Sequence, residues 1–281
     1  MTLVIAMSKP EGIYMSADYR ITDSRSGRLV DDASVKFLTA KYPPHGVGPT
    51  VLFGYSGLAI LPDGTPTGHW LRETLRGESE VIKASMEHLL ERLNRDLAPV
   101  RQPLQITVHI LESEKRFFGG FTNMRITGSS VVAAPRFEFQ LREFPIRFWA
   151  AHGSGMTALS KADKELLKRQ LRIRPSSPLD HMGLLAAVNR RTASRDSAVS
   201  PFCHVCYVNA DDTTPPQDRV YTNPGEAPIP FSMPFLLFGL DVHDMMRDVV
   251  KTARARRKGE TDPSGVWDDP AEMERSIRRR D

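Results

Sequence analysis

Residues 2–20 read TLVIAMSKPEGIYMSADYR, in which two apolar runs flank a short polar turn. The runs, residues 2–8 and 13–18, contain no charged residue before Asp18 and are typical of strands bounded by turn residues. Between them, Pro10 fixes φ and Gly12 tolerates positive φ, as a tight turn requires. The stretch therefore predicts a β-hairpin at the start of the chain.

The threonine that follows Met1 could act as a nucleophile in this hairpin. Removal of Met1 would leave Thr2 with a hydroxyl and a free α-amine, whose pKa of about 7.7–8.0 lets it take the hydroxyl proton. Because a hairpin brings the outer ends of its strands together, we expect Asp18 beside Thr2. A buried Lys36 between them would stay charged and lower the pKa of both Thr2 groups. Without such neighbours, Thr2 is an ordinary strand residue.

The rest of the chain alternates between strand and helix periodicity. Apolar residues recur at three- and four-residue steps over residues 79–97, which predicts a long amphipathic helix. Further helices are predicted after Gly155, over residues 179–193, and from Ser232 to about residue 250. Strands are predicted over residues 35–40, 50–55, 104–110, 137–141, 202–208 and 219–221. This order predicts an α+β protein in which helices cover packed antiparallel sheets.

Several short motifs occur in a fixed order along this pattern. They are Thr2, the Ala-Asp-x-Arg segment that ends at Arg20, Lys36, Gly57-Leu58-Ala59 and Gly153-Ser154-Gly155. In these motifs the chain resembles the proteasome β-type and HslV-like subunits, which are N-terminal-nucleophile (Ntn) hydrolases. The resemblance extends over most of residues 2–208. It implies a four-layer αββα sandwich of two antiparallel sheets, the Ntn hydrolase fold.

The resemblance also implies a role for each motif residue. Thr2 would be the nucleophile, Asp18 and Lys36 would tune it, and the backbone N–H of Gly57 would form the oxyanion hole. Ser154 would hydrogen-bond the threonine amine and relay its proton, although a serine there also suits a helix N-cap.

Two further sets of residues follow from the same resemblance. Asp196 would support Ser154 and Thr2 with Ser200 or Ser197 as its partner, although the serine spacing departs from that of the family and Pro201 replaces a glycine. A substrate pocket of modest apolar specificity would be lined by Ile21, Tyr55 and Ala59.

The implied function is that of a threonine-type peptidase. It would hydrolyse polypeptides inside a self-compartmentalising homo-oligomeric ring, which an ATP-dependent unfoldase could feed. Two alternatives stay open. The chain could be a catalytically silent structural subunit that retains Met1, or an Ntn amidase that acts on a small metabolite.

Composition limits the remaining possibilities. With 281 residues, of which 40% are hydrophobic, we expect one Ntn domain over residues 1–250 and a charged, flexible tail over 251–281. The tail holds much of the basic clustering behind the net charge of +4, so we predict no nucleic-acid partner. The chain has no apolar run of the roughly 18 residues that span a bilayer and no signal-peptide pattern, so we predict no membrane partner and a cytoplasmic location.

The sequence predicts neither a metal nor another cofactor. Cys203 and Cys206 have metal-like spacing, but residues three apart on a strand point to opposite faces and could not share one ion. We therefore expect both to be buried strand cysteines.

Overall fold

The computed structural model describes residues 2–22, 29–31, 35–43, 48–77, 81–112, 115–127, 130–175, 177–211, 216–223, 225–230 and 235–242. The predicted C-terminal tail, residues 251–281, lies outside the described residues. No helix of the described part is long and apolar enough to cross a membrane.

The described residues form strands and α-helices in an α+β order. The strands are β1 (Val4–Lys9), β2 (Gly12–Asp18), β3 (Ile21–Thr22), β4 (Leu29–Asp31), β5 (Phe37–Lys41), β6 (Thr50–Gly57), β7 (Leu104–Glu112), β8 (Lys115–Thr127), β9 (Ser130–Phe144), β10 (Phe148–His152), β11 (Cys203–Asn209), β12 (Gln217–Tyr221), β13 (Ile229–Pro230), β14 (Phe235–Leu237) and β15 (Leu240–Asp241). The α-helices are α1 (Thr67–Leu75), α2 (Ile82–Arg92), α3 (Lys161–Gln170) and α4 (Pro178–Ala193).

The strands pair into two large sheets and one small ribbon. A six-stranded sheet has the order β10-β1-β2-β11-β12-β13, and a seven-stranded sheet has the order β15-β14-β5-β6-β7-β8-β9. The predicted hairpin is confirmed, because β1 and β2 are antiparallel neighbours in the centre of the first sheet. Every described pairing within the two sheets is antiparallel except that of β14 with β5.

Three apolar clusters among the described residues hold the sheets and helices together in four layers. Alternate residues of β1 face opposite sides: Ile5 and Met7 pack with residues of α3 and α4, whereas Val4 and Ala6 pack between the sheets. The third cluster joins the seven-stranded sheet to α1 and α2. The predicted αββα sandwich is therefore confirmed.

The helix predicted over residues 79–97 is confirmed in its described part. It begins at Ile82 as α2 and continues through a π-helical turn, Leu93–Leu97. Its predicted apolar face is buried in the core beside the seven-stranded sheet through Met86, Leu89 and Leu93. Helix α4 starts with a capping box, in which Ser177 and Asp180 each accept a hydrogen bond from a backbone N–H near the helix start.

The helix predicted from Ser232 is wrong where the structure describes that region. Residues 231–234 and 243–250 lie outside the described part, but Phe235–Leu237 is strand β14, parallel to β5, and Leu240–Asp241 is strand β15. Leu236 is 1% exposed because it packs in the core beside the seven-stranded sheet. The short turn between the two strands contains Phe238 and Gly239, both with positive φ, which no continuous helix allows.

Cys203 and Cys206 lie on β11 as predicted. Cys203 packs on the side of α3 and α4, and Cys206 packs between the sheets. Burial raises the pKa of both thiols, because the thiolate loses its hydration there.

Candidate active site

The open end of the β1–β2 hairpin holds Thr2 against Asp18. The strand register pairs Val4 with Ala17, so the residues just beyond them come together. The backbone N–H of Leu3 donates to Asp18 Oδ1 at 2.7 Å, and the Asp18 N–H donates to the Leu3 carbonyl at 3.2 Å. The hairpin thus brings the carboxylate to the start of the chain, as its turn chemistry predicted.

Lys36 reaches this end of the hairpin from the second sheet, one residue before β5. Its Nζ donates to Thr2 Oγ1 at 3.0 Å, to Asp18 Oδ1 at 3.2 Å and to the Arg20 carbonyl at 2.6 Å. Asp18 and Lys36 are each 1% exposed, and Thr2 is 5% exposed. A buried ammonium therefore bridges the carboxylate and the threonine hydroxyl, with little water to screen their charges.

The second oxygen of Asp18 is held by backbone groups. Its Oδ2 accepts hydrogen bonds from the N–H of Arg20 at 3.0 Å and from the N–H of Ser200 at 3.3 Å. Ser200 is fully buried, and its carbonyl accepts a hydrogen bond from Asn189 Nδ2 on α4 at 2.8 Å. Asn189 was not identified from the sequence. The pattern that could have pointed to it is a polar residue on the buried face of a predicted helix.

The Gly-Ser-Gly segment after β10 surrounds the backbone of Thr2. The N–H of Thr2 donates to Ser154 Oγ at 3.4 Å, and the N–H of Gly155 donates to the Thr2 carbonyl at 3.1 Å. Gly153 has φ of 84°, and a Cβ there would lie 2.1 Å from the Thr2 carbonyl oxygen. The two glycines therefore allow the close approach that brings Ser154 to the threonine nitrogen.

Ser154 is not the N-cap of an α-helix, which was the other interpretation of this segment. It is the first residue of a short 3₁₀ helix, Ser154–Ala158, whose cap position is Gly153. Its side chain is exposed, whereas the threonine beside it is buried.

Gly57 ends β6 near the same place. Its φ of 101° favours glycine, and a Cβ would lie 2.2 Å from the Pro103 carbonyl oxygen. A Cβ on Gly153 would also lie 3.3 Å from Ser56 Cβ, so the end of β6 adjoins the segment that holds Thr2.

The predicted Asp196 group is arranged differently from the expectation. The Asp196 carboxylate accepts a hydrogen bond from the N–H of Ala198 at 3.0 Å. Among the described residues, no hydrogen bond joins Asp196 to Thr2 or Ser154. The loop instead reaches the site through Ser200 and through the carbonyl of Ser197, which accepts from Arg20 Nη1 at 2.6 Å.

The three predicted pocket residues lie in different surroundings. Ile21 is on β3 and 5% exposed, whereas Ala59 follows β6 and is half-buried. Tyr55 is 2% exposed in the core beside the seven-stranded sheet, with its hydroxyl 3.5 Å from the Val35 carbonyl oxygen. Their role in substrate binding stays a prediction.

The fold is similar to that of solved Anbu (ancestral β-subunit) structures. The Anbu complex from Pseudomonas aeruginosa is 13% identical and covers 95% of this chain and 100% of its own, with a TM-score of 0.51. An Anbu Gly-1 mutant from Hyphomicrobium sp. strain MC1 is 11% identical and covers 91% and 97%, with a TM-score of 0.50. Anbu from Yersinia bercovieri is 15% identical and covers 79% and 87%, with a TM-score of 0.48. No protein-family model and no curated protein matches the chain.

These comparisons correct one expectation from the sequence. The resemblance to proteasome β-type and HslV-like subunits pointed to the wrong relatives, because the solved structures named above are Anbu proteins. The identities are low, so the likeness extends to the fold alone. The chain is an αββα sandwich whose fold is similar to that of Anbu.

Proposed function

We propose that the chain hydrolyses peptide bonds through Thr2, once removal of Met1 has made this threonine N-terminal. The observation that carries the proposal is the contact of Lys36 Nζ with both Thr2 Oγ1 and Asp18 Oδ1. A positive charge 3.0 Å from a hydroxyl oxygen favours the alkoxide over the alcohol. Burial of these groups supports this assignment, because the same charge would be screened in water.

The proposed reaction uses Thr2 as both nucleophile and base. Its Oγ1 attacks the carbonyl carbon of the scissile amide while its α-amine takes the hydroxyl proton. The C–N bond then breaks, the leaving nitrogen takes that proton, and the acyl group stays on Oγ1 as an ester. Water, deprotonated by the same amine, hydrolyses this ester and restores the free threonine.

Removal of Met1 is essential to this proposal. While Met1 is attached, the nitrogen of Thr2 is a peptide amide, whose lone pair is delocalised and cannot act as a base. The approach of this nitrogen to Ser154 Oγ at 3.4 Å supports a role for Ser154 in passing the proton onward after processing. The N–H of Gly57 would stabilise the negative oxygen of the tetrahedral intermediate.

We also propose that the chain associates with copies of itself. The Anbu complex from Pseudomonas aeruginosa is a helical assembly, and the sequence resemblance implied a ring. Head-to-tail contacts between identical subunits give a ring when the rotation closes and a helix when it does not. Electron microscopy of the purified chain would distinguish the two. An ATP-dependent unfoldase stays a prediction.

Hydrolysis of fluorogenic peptides tests the proposed chemistry. We expect Thr2→Ala to abolish turnover and Lys36→Met to lower kcat by about 10² or more, because the alkoxide loses its counter-charge. Lys83→Met is the matched control, since the Lys83 side chain is 84% exposed and lies on α2. Full activity of Thr2→Ala, or equal losses in the two lysine variants, would contradict the mechanism.

Hydrolysis assays on peptides, small amides and unfolded polypeptides, together with the mass of the intact chain, separate the two alternatives. A silent structural subunit would hydrolyse no peptide and would keep Met1. An amidase for small metabolites would cleave small amides, with loss of activity in Thr2→Ala, but would leave unfolded polypeptides intact.

A further inference from the structure

A pocket of about 420 Å³ lies at the far end of the first sheet from Thr2. It is formed by the β1–β2 turn, the residue before β10 and the segment that links α3 to α4. Strand β1 runs from Thr2 at one end to Lys9 at the other, which separates the two places by roughly 20 Å. The pocket is therefore distinct from the candidate active site.

Lys9 places a positive charge beside the pocket, and its contacts hold that charge in a fixed position. It is 1% exposed, and its Nζ donates to the carbonyls of Gln170 and Ile173 and contacts His181 Nε2. The Glu11 carboxylate lies 3.2 Å from the same nitrogen. With so many partners, the amine is held as a structural cation and not as a free nucleophile.

Three arginines of the pocket add positive charge that is not neutralised. Arg147, Arg172 and Arg174 are exposed and line the same volume. Within the described part of the chain, none of their guanidinium groups has an ion-pair partner. Burial lowers the pKa of Lys9, Glu11 opposes this effect, and the charge of Arg147 adds to the lowering. An anion in the pocket would relieve this repulsion between cations.

The pocket also has an apolar wall. Pro10, Leu171 and Ile173 line it together with the cations, and Ile173 keeps 45% of its surface exposed. Covering such a surface with an apolar group is favourable, by about 25 cal/mol for each Å² removed from water. The ligand should therefore carry an apolar body beside its negative charge.

We propose that this pocket binds a small phosphate monoester with an apolar body. A phosphate group matches the forked donors of several guanidinium groups, each of which can bind two of its oxygens. The volume suits a ligand of small-molecule size. Nothing in the proposal depends on hydrolysis by Thr2.

Calorimetric titration of the full chain with phenyl phosphate tests the proposal. We expect one site per chain, with tighter binding of phenyl phosphate than of inorganic phosphate or citrate, since only the ester offers both a phosphate and an apolar ring. Arg172→Ala and Arg174→Ala should each weaken binding by about tenfold or more, because each removes a charged hydrogen-bond donor. Arg136→Ala is the matched control, because Arg136 is an exposed arginine on β9, in the other sheet.

Three results would overturn the proposal. The first is an absence of binding at millimolar phenyl phosphate, and the second is an equal affinity for inorganic phosphate or citrate. The third is an equal loss of affinity in Arg136→Ala and the pocket variants, which would indicate attraction by net charge alone. Thr2→Ala should bind phenyl phosphate as the unaltered chain does, so this result is independent of the proposed peptidase.

Discussion

Gly153 lies between the carbonyl of Thr2 and the end of β6. A side chain there would meet the backbone oxygen of Thr2 at 2.1 Å, and backbone cannot rotate away as a flexible side chain can. The positive φ of Gly153 adds a conformational reason for glycine at the same position. The residue thus ties the position of Thr2 to that of the Ser154 segment.

We expect Gly153→Ala to lower the free energy of unfolding more than Gly64→Ala does. The two glycines have similar φ values, 84° and 88°, but a Cβ on Gly64 would have no atom within 4 Å. Gly64→Ala should cost about 1–2 kcal/mol through its backbone conformation, and Gly153→Ala should cost more because it adds a steric clash. Urea denaturation measures both; equal losses would contradict the close approach.

The residues around Thr2 could be predicted to different extents. Asp18 could be predicted because the turn and the apolar pattern of a hairpin set its register and bring the outer ends of its strands together. Lys36 could be proposed on electrostatic grounds and then matched a family motif, whereas Gly57 and Ser154 came from the motif resemblance alone. The contact of Ser200 with Asp18 could not be predicted, because it depends on the path of an irregular loop that no hydrophobic period encodes.

At the scale of elements, β14 shows where sequence patterns are weakest. Phe235, Leu236 and Leu237 form a short apolar run, and periodicity alone cannot distinguish a buried strand of this length from part of a helix. The pairing with β5, nearly 200 residues earlier in the chain, makes this run a strand and not part of a helix. By contrast, α2 and β7 could be predicted because their long periodic patterns allow one assignment.

Leu236→Ala should destabilise the protein by about 2–5 kcal/mol, as expected for a leucine that leaves a cavity in the core. Leu237, the next residue, is only half-buried on the other face of β14 and serves as the control. Leu237→Ala should therefore cost clearly less. Chemical denaturation of both variants measures the difference, and equal costs would be inconsistent with strand alternation at this position.

At the scale of the whole molecule, an aromatic and histidine cluster joins the two sheets. His109 on β7 and Phe118 on β8 belong to the seven-stranded sheet, whereas Phe148 and His152 on β10 belong to the six-stranded one. His109 is fully buried, and neither of its ring nitrogens has a hydrogen-bond partner in the described part of the chain. Burial lowers the pKa of His109 well below 6.5, with a smaller contribution from His152, and burial lowers the pKa of His152 to about 4.

Stability should therefore fall as the pH is lowered from about 6.5 towards 4. In that range the unfolded chain binds protons at these histidines and the folded chain does not, so acid favours unfolding. The loss from His152 is at most about 3.5 kcal/mol, because its pKa falls from 6.5 to about 4 and one pKa unit corresponds to about 1.4 kcal/mol. Thermal denaturation at several pH values measures it. His109→Phe should reduce the pH dependence and the exposed His69→Phe should not; equal behaviour of the two would contradict this role of the cluster.

The most direct test of the account is the mass of the N-terminal peptide after treatment with a threonine-directed covalent inhibitor. We predict that the peptide begins at Thr2, without Met1, and carries the inhibitor on Thr2. Labelling should be lost in Thr2→Ala and strongly slowed in Lys36→Met, because Lys36 Nζ lies 3.0 Å from the reacting oxygen. Complete retention of Met1, or labelling that persists in Thr2→Ala, would contradict the proposal that Thr2 is the nucleophile.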